Sequence, residues 1–174
     1  KMALFPDEVY VFTPQGDVKS FPKGATPIDF AYSIHTDVGH KCTGAKVNRN
    51  IVPLRYQLQN GDRVEIITQA GHHPSKDWLK YVVTSRAISK IRNWIKTEER
   101  IKSVALGKDL LEREFKRHHL KFGQIVKSGE IKTIFTEYSI AGLDDLLAMI
   151  GYGKVSPRHV VNHFLPEEEA KGEE

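Results

Sequence analysis

A capped helix start set among strands constrains this chain more than any other feature. In Thr26-Pro27-Ile28-Asp29 the threonine can cap, the proline suits the first helical position, and the aspartate can reach back to the cap. Before it, Val9-Tyr-Val-Phe12 is apolar and rich in β-formers. Thr13-Pro14-Gln15-Gly16 then suits a type I turn, and Val18 to Phe21 can return as the hairpin partner. After the helix, Asn48-Arg49-Asn50 makes a tight turn between short strands. Asn60-Gly61-Asp62 introduces a last strand, with Val64 and Ile66 on one face and Arg63 and Glu65 on the other. This order describes a β-grasp. Within the helix, Ile28, Phe30, Ala31, Tyr32 and Ile34 cover one arc expected to face the core, with Asp29, Ser33 and Thr36 opposite.

The chain divides near Gln69-Ala-Gly-His-His-Pro-Ser75, where strand signals give way to helical spacing. The expected organisation is a linker at 1–7 that reads like the tail of a longer chain, a β-grasp domain at 8–70 and a linker at 71–75. A helical domain at 76–165 and a frayed tail or exit linker at 166–174 complete an α+β architecture. Nothing approaches an eighteen-residue apolar run, and the N-terminus has no apolar stretch of signal-peptide length. The single cysteine, Cys42, excludes an internal disulfide framework and fits a reducing, cytoplasmic setting. A formal charge of +4 permits an acidic partner such as RNA without requiring one.

In the helical half, Thr84, Ala87, Ile88, Ile91, Trp94 and Ile95 form an apolar stripe, while Arg86, Lys90, Asn93 and Lys96 fall on the other side. That basic side reads either as a solvated face or as one that tracks phosphates. Leu111 and Phe115 take the pattern up again after Gly107, with Glu112 and Lys116 at i,i+4 spacing. Short helices are expected over 130–138, 143–150 and 158–164. Gly151-Tyr-Gly-Lys lacks the spacing of a phosphate-binding loop, and helix capping is the expected role of its glycines.

The run from Val9 to Gln69 resembles a TGS domain, in particular at Phe12-Thr-Pro-Gln-Gly-Asp, Asp29-Phe-Ala-Tyr-Ser-Ile-His-Thr-Asp-Val-Gly-His and Gly44-Ala-Lys-Val-Asn. With Pro74-Ser-Lys-Asp-Trp-Leu, Thr84-Ser-Arg-Ala-Ile-Ser-Lys-Ile-Arg and Ile150-Gly-Tyr-Gly-Lys-Val-Ser-Pro-Arg, nearly the whole chain resembles the long RelA/SpoT homologues. These stringent-response enzymes make and degrade guanosine tetra- and pentaphosphate. The resemblance implies synthetase (GTP pyrophosphokinase) and hydrolase domains upstream, further sensory domains downstream, and no catalysis from this stretch itself. It also implies contact with the CCA end of uncharged tRNA on the ribosome. Acyl carrier protein is the alternative partner it implies, and a clamp on the catalytic domains is a third role.

His35, at the end of the capped helix, is the candidate centre for that contact, since imidazole can hydrogen-bond a ribose hydroxyl and stack on a base. Two readings stand. The resemblance implies that this histidine meets the CCA end. A helix continuing through position 35 would instead turn it into the core beside Ile28, Ala31 and Tyr32. Thr36, His40, Lys41, Lys46 and Arg49 are candidate companions in tRNA binding, and Arg86, Lys90 and Lys96 are a candidate RNA or partner face. No cofactor and no metal are expected. His159 and His163 have i,i+4 spacing but show no third ligand, and His40 and Cys42 alternate as on a strand without a second cysteine pair.

Overall fold

The computed structural model describes residues 6–170, which separate into two compact units, one up to Lys96 and one from Thr97 onward. Most of the expected 1–7 linker and the last four residues of the expected tail lie outside the described residues.

The first unit opens on the expected hairpin. Strands β1 (Glu8–Phe12) and β2 (Val18–Pro22) pair antiparallel, Val9 opposite Phe21. In the turn, Gly16 donates its N–H to the Thr13 carbonyl at 2.9 Å, and the Thr13 hydroxyl accepts from the Asp17 N–H at 3.0 Å. Helices α1 (Pro27–Ile34) and α2 (Thr36–His40) follow, then β3 (Cys42–Val47), β4 (Asn50–Val52) and β5 (Val64–Thr68). The order β4-β3-β5 is antiparallel throughout, and Arg63, just before β5, meets Phe12 at the end of β1 in one isolated parallel bridge. Asn48 and Arg49 both have positive φ, at 52° and 71°, as a two-residue hairpin turn twisted to suit its strands requires.

Helix α1 starts on the capping box expected from Thr26 and Asp29. Its orientation corrects the expected arc, because α1 is covered on two sides. Phe30 packs with Val11, Phe21 and Val64 of the sheet, while Ile28, Ala31 and Tyr32 pack with Trp78, Val82, Ala87 and Ile91. Asp29, expected outside, is therefore buried, and Ile34, expected inside, is 47% exposed. The Asp29 carboxylate accepts from the Thr26 N–H (2.9 Å), the Thr84 N–H (2.9 Å), the Thr84 hydroxyl (2.6 Å) and the Val83 N–H (3.2 Å). One side chain thus caps α1 and secures the start of the next long helix, each bond to the charged group being worth about 1.5–3 kcal/mol. A 3-10 turn, Lys76–Lys80, places Trp78 against α1.

That helix, α3, runs unbroken from Ser85 to Arg117. Ala87 and Ile91 are buried, Ile88, Trp94 and Ile95 are half-buried, and Arg86, Lys90, Asn93 and Lys96 are exposed, so the expected stripe is present. In the second unit α4 (Phe122–Ser128), α5 (Lys132–Tyr138), α6 (Leu143–Gly151), α7 (Pro157–Asn162) and α8 (Glu167–Ala170) follow. Leu111, Phe115, Ile134, Leu146, Ile150 and Val160 make its core. Gly107 lies inside α3, and a Cβ there would stand 1.8 Å from the Leu147 carbonyl oxygen; one on Gly151 would stand 1.9 Å from that of Ser103. Helices α3 and α6 therefore touch backbone to backbone. The capping expected of the Gly151 stretch falls to Gly153, whose φ is +78°. No helix among the described residues is long and apolar enough to cross a membrane.

Candidate functional site

The site is built on the break between α1 and α2. His35 is extended (φ −163°, ψ 152°), so α1 stops at Ile34, and the His35 Nδ1 accepts from the Asp37 N–H at 3.0 Å to cap α2. The imidazole is 65% exposed. The alternative of a continuous helix with His35 in the core is thereby overturned. Its cause lies a turn further on. Gly39 is buried, and a Cβ there would fall 2.2 Å from the Tyr32 ring. The Tyr32 hydroxyl and the His40 Nδ1 are 2.8 Å apart, with the two rings edge-on. Tyr32 thus holds α2 folded back on α1, and His35 occupies the corner.

These contacts set the chemistry of each group. Burial lowers the pKa of His40, Asp37 opposes that shift, and Lys90 and His73 add to it, so His40 is neutral at neutral pH. His40 ends α2 rather than alternating with Cys42 on a strand, and one of its nitrogens already has an internal partner. Burial raises the Tyr32 phenol and pushes the Cys42 thiol up to about 11, which makes that cysteine a poor nucleophile. His73 stacks on Trp94 at 5.2 Å and His40 lies 6.5 Å from the same indole, an aromatic cluster that sequence spacing did not indicate.

One groove adjoins this corner, and a second hollow adjoins the groove. A groove of about 490 Å³ is lined by Ile34 and Val38, on either side of His35 in the chain, with Phe30, Lys19, Pro14 and Glu65. A smaller hollow of about 200 Å³ shares Pro14 and Glu65 with it and is lined by Lys46, Arg49 and Arg63. Lys46 and Arg49 are therefore brought together, with Arg63 as a third cation not singled out from sequence. Its outward position was legible from the alternation of β5. Its neighbours were not: Arg63, at the entry to β5, and Asn48, in the β3–β4 turn, exchange hydrogen bonds at 2.9 and 3.0 Å. Thr36 opens α2 half-buried, and Lys41 closes it exposed. Arg86, Lys90 and Lys96 share the exposed side of α3. A groove of mixed polar and apolar lining beside a hollow that gathers Lys46, Arg49 and Arg63 with Glu65 can take a base and a phosphate side by side. In the second unit Glu137 joins His159 and His163, the third donor that spacing alone did not show.

Residues 9–68 match the model of the TGS domain, and residues 94–165 match that of the RelA/SpoT AH domain. The chain is 53% identical over its full 174 residues to a GTP pyrophosphokinase of Myxococcus xanthus, covering 23% of that protein. It is 48% identical over 163 residues, 91% of its length, to the GTP pyrophosphokinase of Escherichia coli K12, covering 21% of it. A bifunctional (p)ppGpp synthase/hydrolase RelA of Mycobacterium tuberculosis is 43% identical over 166 residues, 94% of this chain and 22% of that one. The chain thus spans about a fifth of the length of the curated relatives it matches.

Proposed function

Because the chain belongs with the long RelA/SpoT homologues, carrying their TGS and AH domains in that order, we propose that it recognises the CCA end of uncharged tRNA on the ribosome. In this reading it relays amino-acid starvation to catalytic domains elsewhere in a (p)ppGpp synthetase or hydrolase. The observation that carries the reading is the extended, exposed His35 at the α1–α2 corner, held by Tyr32 and Gly39, with a groove beside it lined by its chain neighbours Ile34 and Val38. With Nδ1 occupied by the Asp37 N–H, the imidazole presents its far edge and its faces to a ligand. Lys46, Arg49 and Arg63 offer charge for the backbone phosphates. In this reading a free 3′ end is accepted and an esterified amino acid clashes, so discrimination works by exclusion.

The test is binding to one tRNA in uncharged, aminoacylated and CCA-truncated forms at fixed salt, with His35→Ala beside the parent chain. Preference for the uncharged form, lost in the variant, supports the reading. Equal, salt-sensitive binding to all three forms leaves only phosphate attraction and defeats it. Binding to an acidic protein that survives RNase would then favour the protein-partner role.

A further inference from the structure

We propose that Glu137, His159 and His163 form a binding site for a divalent transition-metal ion, zinc being the ion their donors suit best. The three residues come from two helices of the second unit. Glu137 lies in the last turn of α5, His159 within α7, and His163 caps the end of α7. One ligand atom from each lies within 4.8 Å of the other two. The His159 Nε2 stands 3.5 Å from one Glu137 carboxylate oxygen, and the His163 Nε2 contacts the other. Donors bonded at zinc distances around one tetrahedral ion lie about 3.3 Å apart, so this spacing needs only rotamer adjustment to close on a metal.

Further features favour a cation here. Both helices end at the cluster, which places the negative ends of their dipoles there, and Glu137 adds a carboxylate. Tyr138 meets His159 edge-on at 5.8 Å and steadies its ring. Two imidazoles with one carboxylate suit zinc, cobalt, nickel or copper, whereas calcium and magnesium prefer oxygen donors alone. The residues are exposed, so the remaining coordination positions stay open to water or to a donor from another molecule. Nothing in this site depends on the tRNA reading.

The experiment uses the tag-free chain, titrated with Zn²⁺ against a chromophoric chelator and with Co²⁺ followed by visible absorption. The parent chain is expected to bind one equivalent of each. Glu137→Gln and His163→Ala should each weaken binding roughly tenfold or more, the scale on which even supporting groups act at metal sites. The Co²⁺ ligand-field bands should fall away with them, while His119→Asn leaves both readouts unchanged. Glu137→Gln preserves size at an exposed position, so it decides the matter should His163→Ala disturb folding. Absence of a one-equivalent site in the parent chain, or a site that survives Glu137→Gln, overturns the proposal.

Discussion

Replacing Gly107 by alanine sets two opposed effects against each other at one position. Within a helix, alanine is favoured over glycine by about 1 kcal/mol, so propensity alone makes Gly107→Ala stabilising. The new Cβ, however, would stand 1.8 Å from the Leu147 carbonyl oxygen and 2.7 Å from its carbon. Those are backbone atoms of α6 and cannot swing aside as a side chain tip would. Restoring ordinary contact requires α3 and α6 to part by more than an ångström, loosening the packing of Leu111, Leu146 and Ile150. Overpacking of this kind costs about 3 kcal/mol. The net is a loss of about 2 kcal/mol, or roughly 10 °C in the melting of a unit this size. The assay is thermal and urea unfolding followed by helical circular dichroism. Gly123→Ala serves as the comparison, since Gly123 lies in α4 with nothing within 4 Å of its Cβ position. It should be neutral or slightly stabilising. A Gly107→Ala chain as stable as the parent would refute the backbone contact between α3 and α6.

Asp29→Ala should destabilise the first unit by about 3–4 kcal/mol, because the buried Thr26 N–H and the part-buried Val83 and Thr84 N–H groups lose their acceptor together. Trp78 and Trp94, the two tryptophans of the chain, both lie in that unit, so urea unfolding read by their fluorescence measures the loss; a change under 1 kcal/mol would sink the argument. His40 has a folded pKa below its ordinary 6.5, chiefly through burial, so the unfolded chain binds the proton more readily. Stability should accordingly be full above 6.5 and fall as pH drops from there toward the folded value, and His40→Gln should flatten that slope in unfolding curves taken across the window. His35→Ala should cost no more than about 1 kcal/mol, the worth of a helix cap, while His35→Asn keeps the cap without the imidazole. If His35→Asn retains selective tRNA binding, capping rather than recognition explains the residue.

The short-range features of the fold were legible in the chain. The capping box at Thr26, the turns at Thr13–Gly16 and Asn48–Arg49, the alternation of β5 and the stripe of α3 each depend on residues a few positions apart. What failed to show was anything fixed by a partner distant in sequence. Asp29 looks like an outward helix residue until Val83 and Thr84 arrive more than fifty positions later to use its carboxylate. Gly107 looks like an interruption between two helical patterns, and only the α6 backbone reveals it as the contact point of one long helix.

The candidate site divides in the same way. His35, Lys46 and Arg49 could be picked out as residue types suited to RNA, but the hollow that Lys46 and Arg49 share with Arg63, and the groove lined by Ile34 and Val38 on either side of His35, could not. No residue near position 35 forbids a continuous helix. The break follows from Tyr32 occupying the space beside Gly39 and bonding His40, which exchanges one turn of helix for a buried ring and a satisfied hydroxyl. Likewise His159 and His163 announce their spacing, while Glu137 joins them only when α5 packs beside α7. Local propensity and pattern set the order and type of the elements, because those energies act within a few residues. Exposure, breaks and clusters belonged to the tertiary structure, because burial and hydrogen bonding are decided by whichever distant groups come to share the same space.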